Sequence, residues 1–222
     1  MAGRFWIETL GCPKNHVDSD KLAGTFLADG YRPATGPDDA DVVVVNTCAF
    51  VEDARQESVD TILGLDGVRR EGARLVVTGC MAERYGTELA DALPEADAVV
   101  GFGVPVTLGR RSAADAEPAA LPTFDLLNLP RPPSSAPWAY VKVAEGCDRA
   151  CGFCAIPTFR GKQRSRALDD VLAEVDALGA REIVLVAQDL AAYGRDQGGG
   201  ERSIVPLVDA VAARVERTRL LY

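Results

Sequence analysis

Three cysteines stand close together in the second half of the chain, as Cys147, Cys151 and Cys154 with the spacing C-x3-C-x2-C. A disulfide framework would leave the third thiol without a partner, whereas four-iron four-sulfur clusters are held by cysteine thiolates, usually four. With three thiolates, one iron keeps an open position that a substrate or cofactor can fill. The alternative is a structural zinc loop, which needs four ligands in nearly all cases. The chain's one histidine, His16, is remote in sequence, so the spacing favours an iron–sulfur cluster.

The other three cysteines, Cys12, Cys48 and Cys80, share a position directly after a predicted strand. The three strands are predicted at 4–10, 41–46 and 74–78. In open parallel sheets, ligands bind beyond the carboxyl ends of the strands, so we expect these thiols to meet at one edge of one sheet. The alternative is that all three are buried as small hydrophobic side chains. We interpret them as a second three-thiolate cluster site.

Composition limits the function classes. The chain has 222 residues, of which 47% are hydrophobic and 26% charged, as in a globular protein with a buried core. Its net charge of −9 argues against a chain that mainly binds phosphate backbones. No apolar run has the length of a membrane span, and residues 1–7 lack the pattern of a secretory signal. We therefore expect a cytoplasmic protein without a membrane partner, whose cysteines are metal or redox ligands.

The first part of the chain alternates strand and helix patterns, which predicts βαβ units and a parallel sheet. The run Val42 to Val45 is continuous and β-branched, as in a strand covered on both faces. Helices are predicted at 17–28, 52–70 and 82–93, and a fourth strand at 98–100. These elements predict an α/β fold, with a three-layer parallel-sheet domain at 1–116. The proline-rich stretch at 117–137 is interpreted as an inter-domain linker.

A second domain is expected at 138–222, again with alternating elements. Strands are predicted at 139–143 and 182–187, helices at 167–178 and from Pro206, and a further strand from Arg219. The helix at 167–178 has the clearest apolar stripe in the chain and ends before Gly179. A complete βα barrel needs far more residues than follow the linker. We therefore expect a partial barrel, with the chain truncated inside it.

The cysteines lie within motifs that together resemble the radical S-adenosylmethionine (SAM) methylthiotransferases over nearly the whole chain. The motifs are Gly11-Cys12-Pro13-Lys14-Asn15, Asn46-Thr47-Cys48, Thr78-Gly79-Cys80, Glu145-Gly146-Cys147, Phe153-Cys154-Ala155-Ile156-Pro157 and Arg160-Gly161-Lys162-Gln163-Arg164-Ser165-Arg166. The resemblance implies two 4Fe-4S clusters, one for each cysteine triad, with SAM bound at the open iron of the second. It also implies that one SAM donates a methyl group to sulfur and that another is cleaved to a radical, which abstracts hydrogen from an unactivated carbon.

Within that family, Pro13-Lys14 and Gln188-Asp189 resemble the type that modifies the β-carbon of an aspartate in a small-subunit ribosomal protein. The alternatives are methylthiolation of an adenosine in tRNA, or a non-catalytic iron–sulfur protein. The resemblance implies two protein partners, the ribosomal protein and an electron donor. The resemblance also implies a C-terminal TRAM domain, which we expect to be absent from this sequence, and nucleic acid binding is expected only through that domain.

Four further residues are candidates for contact with SAM or substrate. Gln188 and Asp189 follow the second barrel strand, where barrel active sites form, but ordinary loop polarity would also explain them. Phe153 lies inside the cluster motif and could shield the cluster or contact adenine, and the alternative is a packed core aromatic. Arg160 belongs to a basic cluster at 160–166, which is either a solvated loop or a contact for SAM or an acidic target.

Overall fold

The computed structural model describes residues 3–102, 126–198 and 203–221, and the chain forms two compact units, residues 1–129 and 130–222. The boundary between the units falls inside the stretch predicted as a linker. The first part of that stretch, 117–125, lies outside the described residues, as do residues 199–202. Residues 126–137 form neither helix nor strand.

The first unit contains a parallel five-stranded sheet with strand order β2-β1-β3-β4-β5. Its elements are β1 (Arg4–Thr9), α1 (Pro13–Ala28), β2 (Arg32–Pro33), β3 (Val42–Thr47), α2 (Glu52–Val68), β4 (Arg74–Gly79), α3 (Cys80–Ala92) and β5 (Ala98–Val99). The connection from β1 to β2 runs across the sheet in one direction, and the connections from β3 to β4 and from β4 to β5 run in the opposite direction. Because such crossovers are right-handed, α1 covers one face of the sheet, and α2 and α3 cover the other. This is the α/β parallel-sheet architecture expected from the sequence.

Burial on both faces explains the apolar strand at the centre of this sheet. Every residue of β3 is buried, as the run of valines predicts. On one side, Phe5 and Phe26 stack with ring centroids 4.9 Å apart, and Val44 belongs to the same cluster. Ile62 of α2 is also fully buried. The central strand therefore has apolar cover that fixes its register and the position of its carboxyl end.

Three details of this unit differ from the sequence-based expectation. Helix α1 begins at Pro13 and not near residue 17, because proline is favoured in the first turn, where its missing N–H costs nothing. Strand β2 was not predicted, since it is two residues long and contains a proline, which only an edge strand tolerates. Helix α3 begins earlier than expected, at Cys80, and has a kink at Gly86.

The second unit contains a parallel three-stranded sheet of order β10-β9-β6 and a two-stranded antiparallel ribbon of β7 and β8. Its elements are β6 (Trp138–Lys142), β7 (Ala144–Glu145), α4 (Ile156–Arg160), β8 (Arg164–Ser165), α5 (Leu168–Leu178), β9 (Glu182–Val186), α6 (Ile204–Ala212) and β10 (Arg217–Leu221). Four residues of the predicted apolar stripe, Val171, Leu172, Val175 and Leu178, are buried in one core with Leu207 of α6. Three parallel strands that alternate with helices match the start of a βα barrel.

None of the helices within the described ranges is both long enough and apolar enough to cross a lipid bilayer.

Candidate functional site

The first cysteine triad lies at the carboxyl ends of three neighbouring strands. Cys12 occupies the position directly before α1, Cys48 directly follows β3, and Cys80 directly follows β4. The last paired residues of β3 and β4 are Thr47 and Gly79, so Cys48 and Cys80 are the next residues on adjacent strands. Three cysteines separated by more than thirty residues in sequence are thereby brought to one edge of the sheet.

This edge is also where a parallel sheet of this topology receives ligands. The strand order reverses between β1 and β3, and open α/β sheets bind ligands in the crevice at such a switch point. Cys12 and Cys48 lie on its two sides. Cys12 and Cys80 also stand at the N-termini of α1 and α3, where the partial positive charge of the helix dipole favours a bound anion. The edge therefore suits a negatively charged group held by thiolates.

Gly11 keeps the first triad compact. Its φ of +87° is in the left-handed region that favours glycine. A Cβ at this position would lie 2.8 Å from the Cβ and 2.9 Å from the Sγ of Cys48. The turn after β1 can therefore lie directly against the Cys48 side chain only because residue 11 has no side chain.

Replacing Gly11 with alanine should lower the free energy of unfolding of the first unit by about 1–3 kcal/mol, from backbone strain together with displacement of Cys48. Trp6 in β1 and Trp138 in β6 are the chain's only tryptophans, so each reports on one unit. Urea unfolding followed by Trp6 fluorescence in a Trp138→Phe background measures the effect. Gly64→Ala is the matched control, because a Cβ there meets nothing within 4 Å and alanine is favoured inside a helix. Equal unfolding midpoints for the two variants would contradict the expectation.

The second triad lies in the loop between β7 and α4. At its base the backbone N–H of Cys147 donates to the Gly161 carbonyl over 3.0 Å. Gly146 has φ +78°, and any Cβ there would overlap the Lys162 carbonyl oxygen. Within the loop, the Arg149 N–H lies 3.4 Å from the Cys147 Sγ. Cys147 is buried, Cys154 is half-buried and Cys151 is exposed, so the loop is anchored at its start and open toward its middle.

The carboxylate of Glu145 holds the start of this loop in place. Glu145 was not among the candidate site residues predicted from the sequence. Its carboxylate accepts from Lys142 Nζ over 2.5 Å, from Arg160 Nη1 over 3.1 Å and from Gln188 Nε2 over 2.6 Å. The backbone N–H of Gly146 also donates to it. One carboxylate thus joins β6, the start of the cysteine loop, α4 and the segment after β9. A signal was present in the sequence, because a lysine inside the apolar strand at Lys142 requires a buried acceptor.

Charge decides the ionisation of Glu145. Burial alone would raise its pKa, but the positive charges of Arg160 and Lys142, with the hydrogen bonds from Lys142 and Gly146, outweigh burial and lower the pKa to about 2. The Lys142 side chain is fully buried and that of Arg160 is 3% exposed, so water screens neither positive charge strongly. Glu145 is therefore a buried anion at neutral pH.

Gln188 and Asp189 lie at the carboxyl end of β9, next to the cysteine loop. Asp189 pairs with Arg149 of that loop, with 2.6 Å between Oδ2 and Nε. Gln163 donates to the Asp189 carbonyl over 3.4 Å. Three buried acceptors here, Gln163 Oε1, Gln188 Oε1 and Asp189 Oδ1, have no hydrogen-bond partner. Buried acceptors without donors are costly, and they fit a ligand that brings N–H or O–H groups, such as the ammonium and ribose of SAM.

The other two candidates have different environments. Phe153 is 89% exposed, so the alternative of a packed core aromatic is wrong, and contact with a cofactor stays a prediction. The basic cluster at 160–166 is not one solvated loop. Arg160 binds Glu145, and Arg166 pairs with Glu174 at 2.7 Å, both largely buried, whereas Lys162 and Arg164 are exposed.

The donors present fit iron–sulfur clusters by their chemistry. All six cysteines are free thiols, three in each unit, and thiolate is the usual ligand of such clusters. Among residues 3–102, 126–198 and 203–221, no group of three or more His, Cys, Asp or Glu side chains is already arranged as metal ligands. The fit therefore rests on the six thiols, the strand register and the unpartnered acceptors beside the second triad.

Known proteins are similar to this chain over most of its length. Residues 4–101 match the family described as Uncharacterized protein family UPF0004. The chain is 48% identical over 209 residues to a "Ribosomal protein uS12 methylthiotransferase RimO" of Anaeromyxobacter sp. (strain Fw109-5), which covers 90% of this chain and 44% of the relative. It is 46% identical over 228 residues to the protein of the same name from Myxococcus xanthus (strain DK1622), which covers 98% of this chain and 48% of the relative.

These observations define an α/β protein in which two units each carry three free cysteines beside the carboxyl ends of parallel strands. Along nearly its whole length the chain is similar to proteins that carry the name RimO. It spans about half the length of the curated relatives it matches.

Proposed function

We propose that the protein transfers a methylthio group to the β-carbon of an aspartate in the small-subunit ribosomal protein uS12. The observation that carries this proposal is the placement of the first cysteine triad at the carboxyl edge of a parallel sheet and of the second in a loop that pairs with Asp189 after β9, in a chain 46–48% identical to proteins named as methylthiotransferases of uS12. Pro13-Lys14 and Gln188-Asp189 resemble the family type that modifies an aspartate, and this resemblance supports aspartate as the target residue. Action on a ribosomal protein supports a cytoplasmic location.

In this proposal each triad holds one 4Fe-4S cluster, Cys12, Cys48 and Cys80 the first, and Cys147, Cys151 and Cys154 the second. When bound, the clusters and two SAM molecules, with an electron donor protein, supply the methyl group and the one-electron chemistry that an unactivated C–H bond requires. No side-chain base could remove such a hydrogen at a useful rate.

The chain's own residues would position the reactants. Gln188 and Asp189, with Gln163, present unpartnered acceptors beside the second triad, and they would orient the donor groups of SAM. Arg149 and Glu145 hold the cysteine loop to the segment after β9, so the thiolates and these acceptors keep a fixed relation. Phe153 is exposed within the loop, where it would cover a bound cofactor. Arg160 would act through Glu145, since its side chain is buried against that carboxylate.

Charge supports a protein substrate over tRNA. The chain has 24 Lys and Arg against 33 Asp and Glu, whereas phosphate contacts to cationic side chains supply most non-specific affinity for nucleic acid. Ribosomal proteins are typically basic, so opposite charge would favour encounter and orientation.

Offered uS12 and unmodified tRNA together under anaerobic conditions with SAM and a reductant, the full-length protein should add the methylthio mass to uS12 only. Mass spectrometry of both substrates gives the result, and product yield should fall as salt rises because the attraction is screened. A methylthio shift on the tRNA alone would replace this proposal with the tRNA-modifying function. Bound iron without SAM cleavage would indicate a non-catalytic iron–sulfur protein.

A further inference from the structure

Asn15 is a fully buried polar side chain in the first turn of α1, between the three cysteine-bearing segments. Its Nδ2 donates to two carbonyls, that of Leu10 over 2.9 Å and that of Thr47 over 3.0 Å. Leu10 lies two residues before Cys12, and Thr47 directly precedes Cys48. One amide therefore ties the turn after β1 to the end of β3.

The other end of the same amide contacts the third segment. The Cys80 Sγ lies 3.6 Å from Asn15 Oδ1, as a weak S–H donor to that oxygen. Because both Nδ2 hydrogens point at carbonyls, the oxygen must face Cys80, and the amide cannot be reversed without losing both donations. A single side chain thus touches the segment of every cysteine in the triad.

The backbone of Asn15 is held as firmly as its side chain. Asn46 Nδ2 donates to the Asn15 carbonyl and to Ser19 Oγ, each over 2.9 Å. The Thr9 hydroxyl donates to the same Ser19 oxygen over 2.7 Å. Buried polar networks of this kind specify one arrangement of the segments they join. All of these contacts join protein groups to one another, so none of them uses an atom of a cluster.

We propose that Asn15 is a positioning residue for the first triad, which holds the three thiol-bearing segments together in advance so that little ordering is left for cluster binding. This inference rests on the proposed function, in which Cys12, Cys48 and Cys80 hold one cluster. Arranging ligands in the protein before binding lowers the entropic cost at binding, which raises affinity without adding a bond. Asn15 itself supplies no ligand.

Cluster loss to a chelator tests this role without catalytic activity, because the three thiolates of the triad would each bind a different iron of one cluster. The chain with Cys147, Cys151 and Cys154 all replaced by alanine retains only the first triad. Reconstituted anaerobically with iron and sulfide and followed by its visible absorbance, this parent should hold one cluster. After an iron chelator is added, Asn15→Ala in the same background should lose the cluster about tenfold faster than the parent. Asn15→Ser, a smaller disturbance of the core, should change the rate of loss in the same direction.

Phe26→Leu is the matched control for stability. Phe26 lies near the far end of α1, where it packs against Phe5 and Tyr31, remote in the fold from the cysteine edge. This variant should be destabilised yet keep the cluster as long as the parent does, with folding checked in each variant by Trp6 fluorescence. If the Asn15 variants keep the cluster as long as the parent, or if Phe26→Leu loses it equally fast, the positioning role is wrong. If the parent takes up no cluster, the three-thiolate site fails, and both the proposed function and this inference fall.

Discussion

Replacing Glu145 with alanine should lower the free energy of unfolding of the second unit by about 3–5 kcal/mol, the cost of breaking a buried ion pair by removal of one partner. The loss leaves Lys142, whose side chain is fully buried, and Arg160, whose side chain is 3% exposed, without their shared carboxylate. Glu145→Gln keeps the volume and removes only the charge, so it separates electrostatics from packing and should retain most of the effect. Urea unfolding is followed by Trp138 fluorescence in a Trp6→Phe background.

An exposed ion pair in the same unit provides the control. Arg181 and Glu216 form two hydrogen bonds of 2.7 Å, but their side chains are 70% and 64% exposed. Exposed pairs contribute little because water already solvates both charges. Glu216→Ala should therefore shift the unfolding midpoint far less than Glu145→Ala. Similar shifts for the two variants would show that the Glu145 network does not stabilise the unit.

The Glu145 carboxylate stabilises the second unit while it is ionised, so the free energy of unfolding should fall at acid pH. The pKa of Glu145 falls from its ordinary value of 4.5 to about 2 in the folded chain, so the unfolded state binds the proton more tightly. The resulting stabilisation is complete above about pH 5 and is lost as pH falls toward 2, with a total of about 3 kcal/mol. The parent should lose stability more steeply than Glu145→Gln between about pH 5 and 2.5. Parallel curves would contradict a depressed pKa for this group.

The sequence predicted the elements that depend on local pattern. Valines in an unbroken run gave β3, and the 3.6-residue stripe gave α5, because burial of one strand or one helix face leaves a periodic trace. The positions of Cys12, Cys48 and Cys80 after three strands followed from the same reasoning. Their meeting at one edge required only that the strands be parallel, which the alternation of strand and helix indicates.

Contacts between residues that the fold brings together leave no periodic pattern in the sequence. Asn15 reads as an ordinary polar residue at the start of a helix, and only the fold brings the Thr47 carbonyl and Cys80 to its amide. Arg160 and Arg166 look like members of one basic surface cluster, yet each is buried against a carboxylate from a different part of the chain. Pairing across 8 to 15 residues of loop and helix is set by tertiary packing, and single-sequence periodicity does not contain it.

Replacing Cys147, Cys151 and Cys154 together with alanine should remove about half of the bound iron and abolish SAM cleavage, if each triad holds its own thiolate-bound cluster. The reason is that each triad belongs to a separate compact unit, and all six cysteines are free thiols, so the substitutions break no crosslink. The complementary variant, with Cys12, Cys48 and Cys80 replaced, should keep the other half of the iron and the SAM cleavage but form no methylthio product. Iron analysis after anaerobic reconstitution, with chromatography of the SAM products, measures both halves. A chain that lost all its iron in either variant would mean that the two triads share one metal site, and the two-cluster assignment would have to be abandoned.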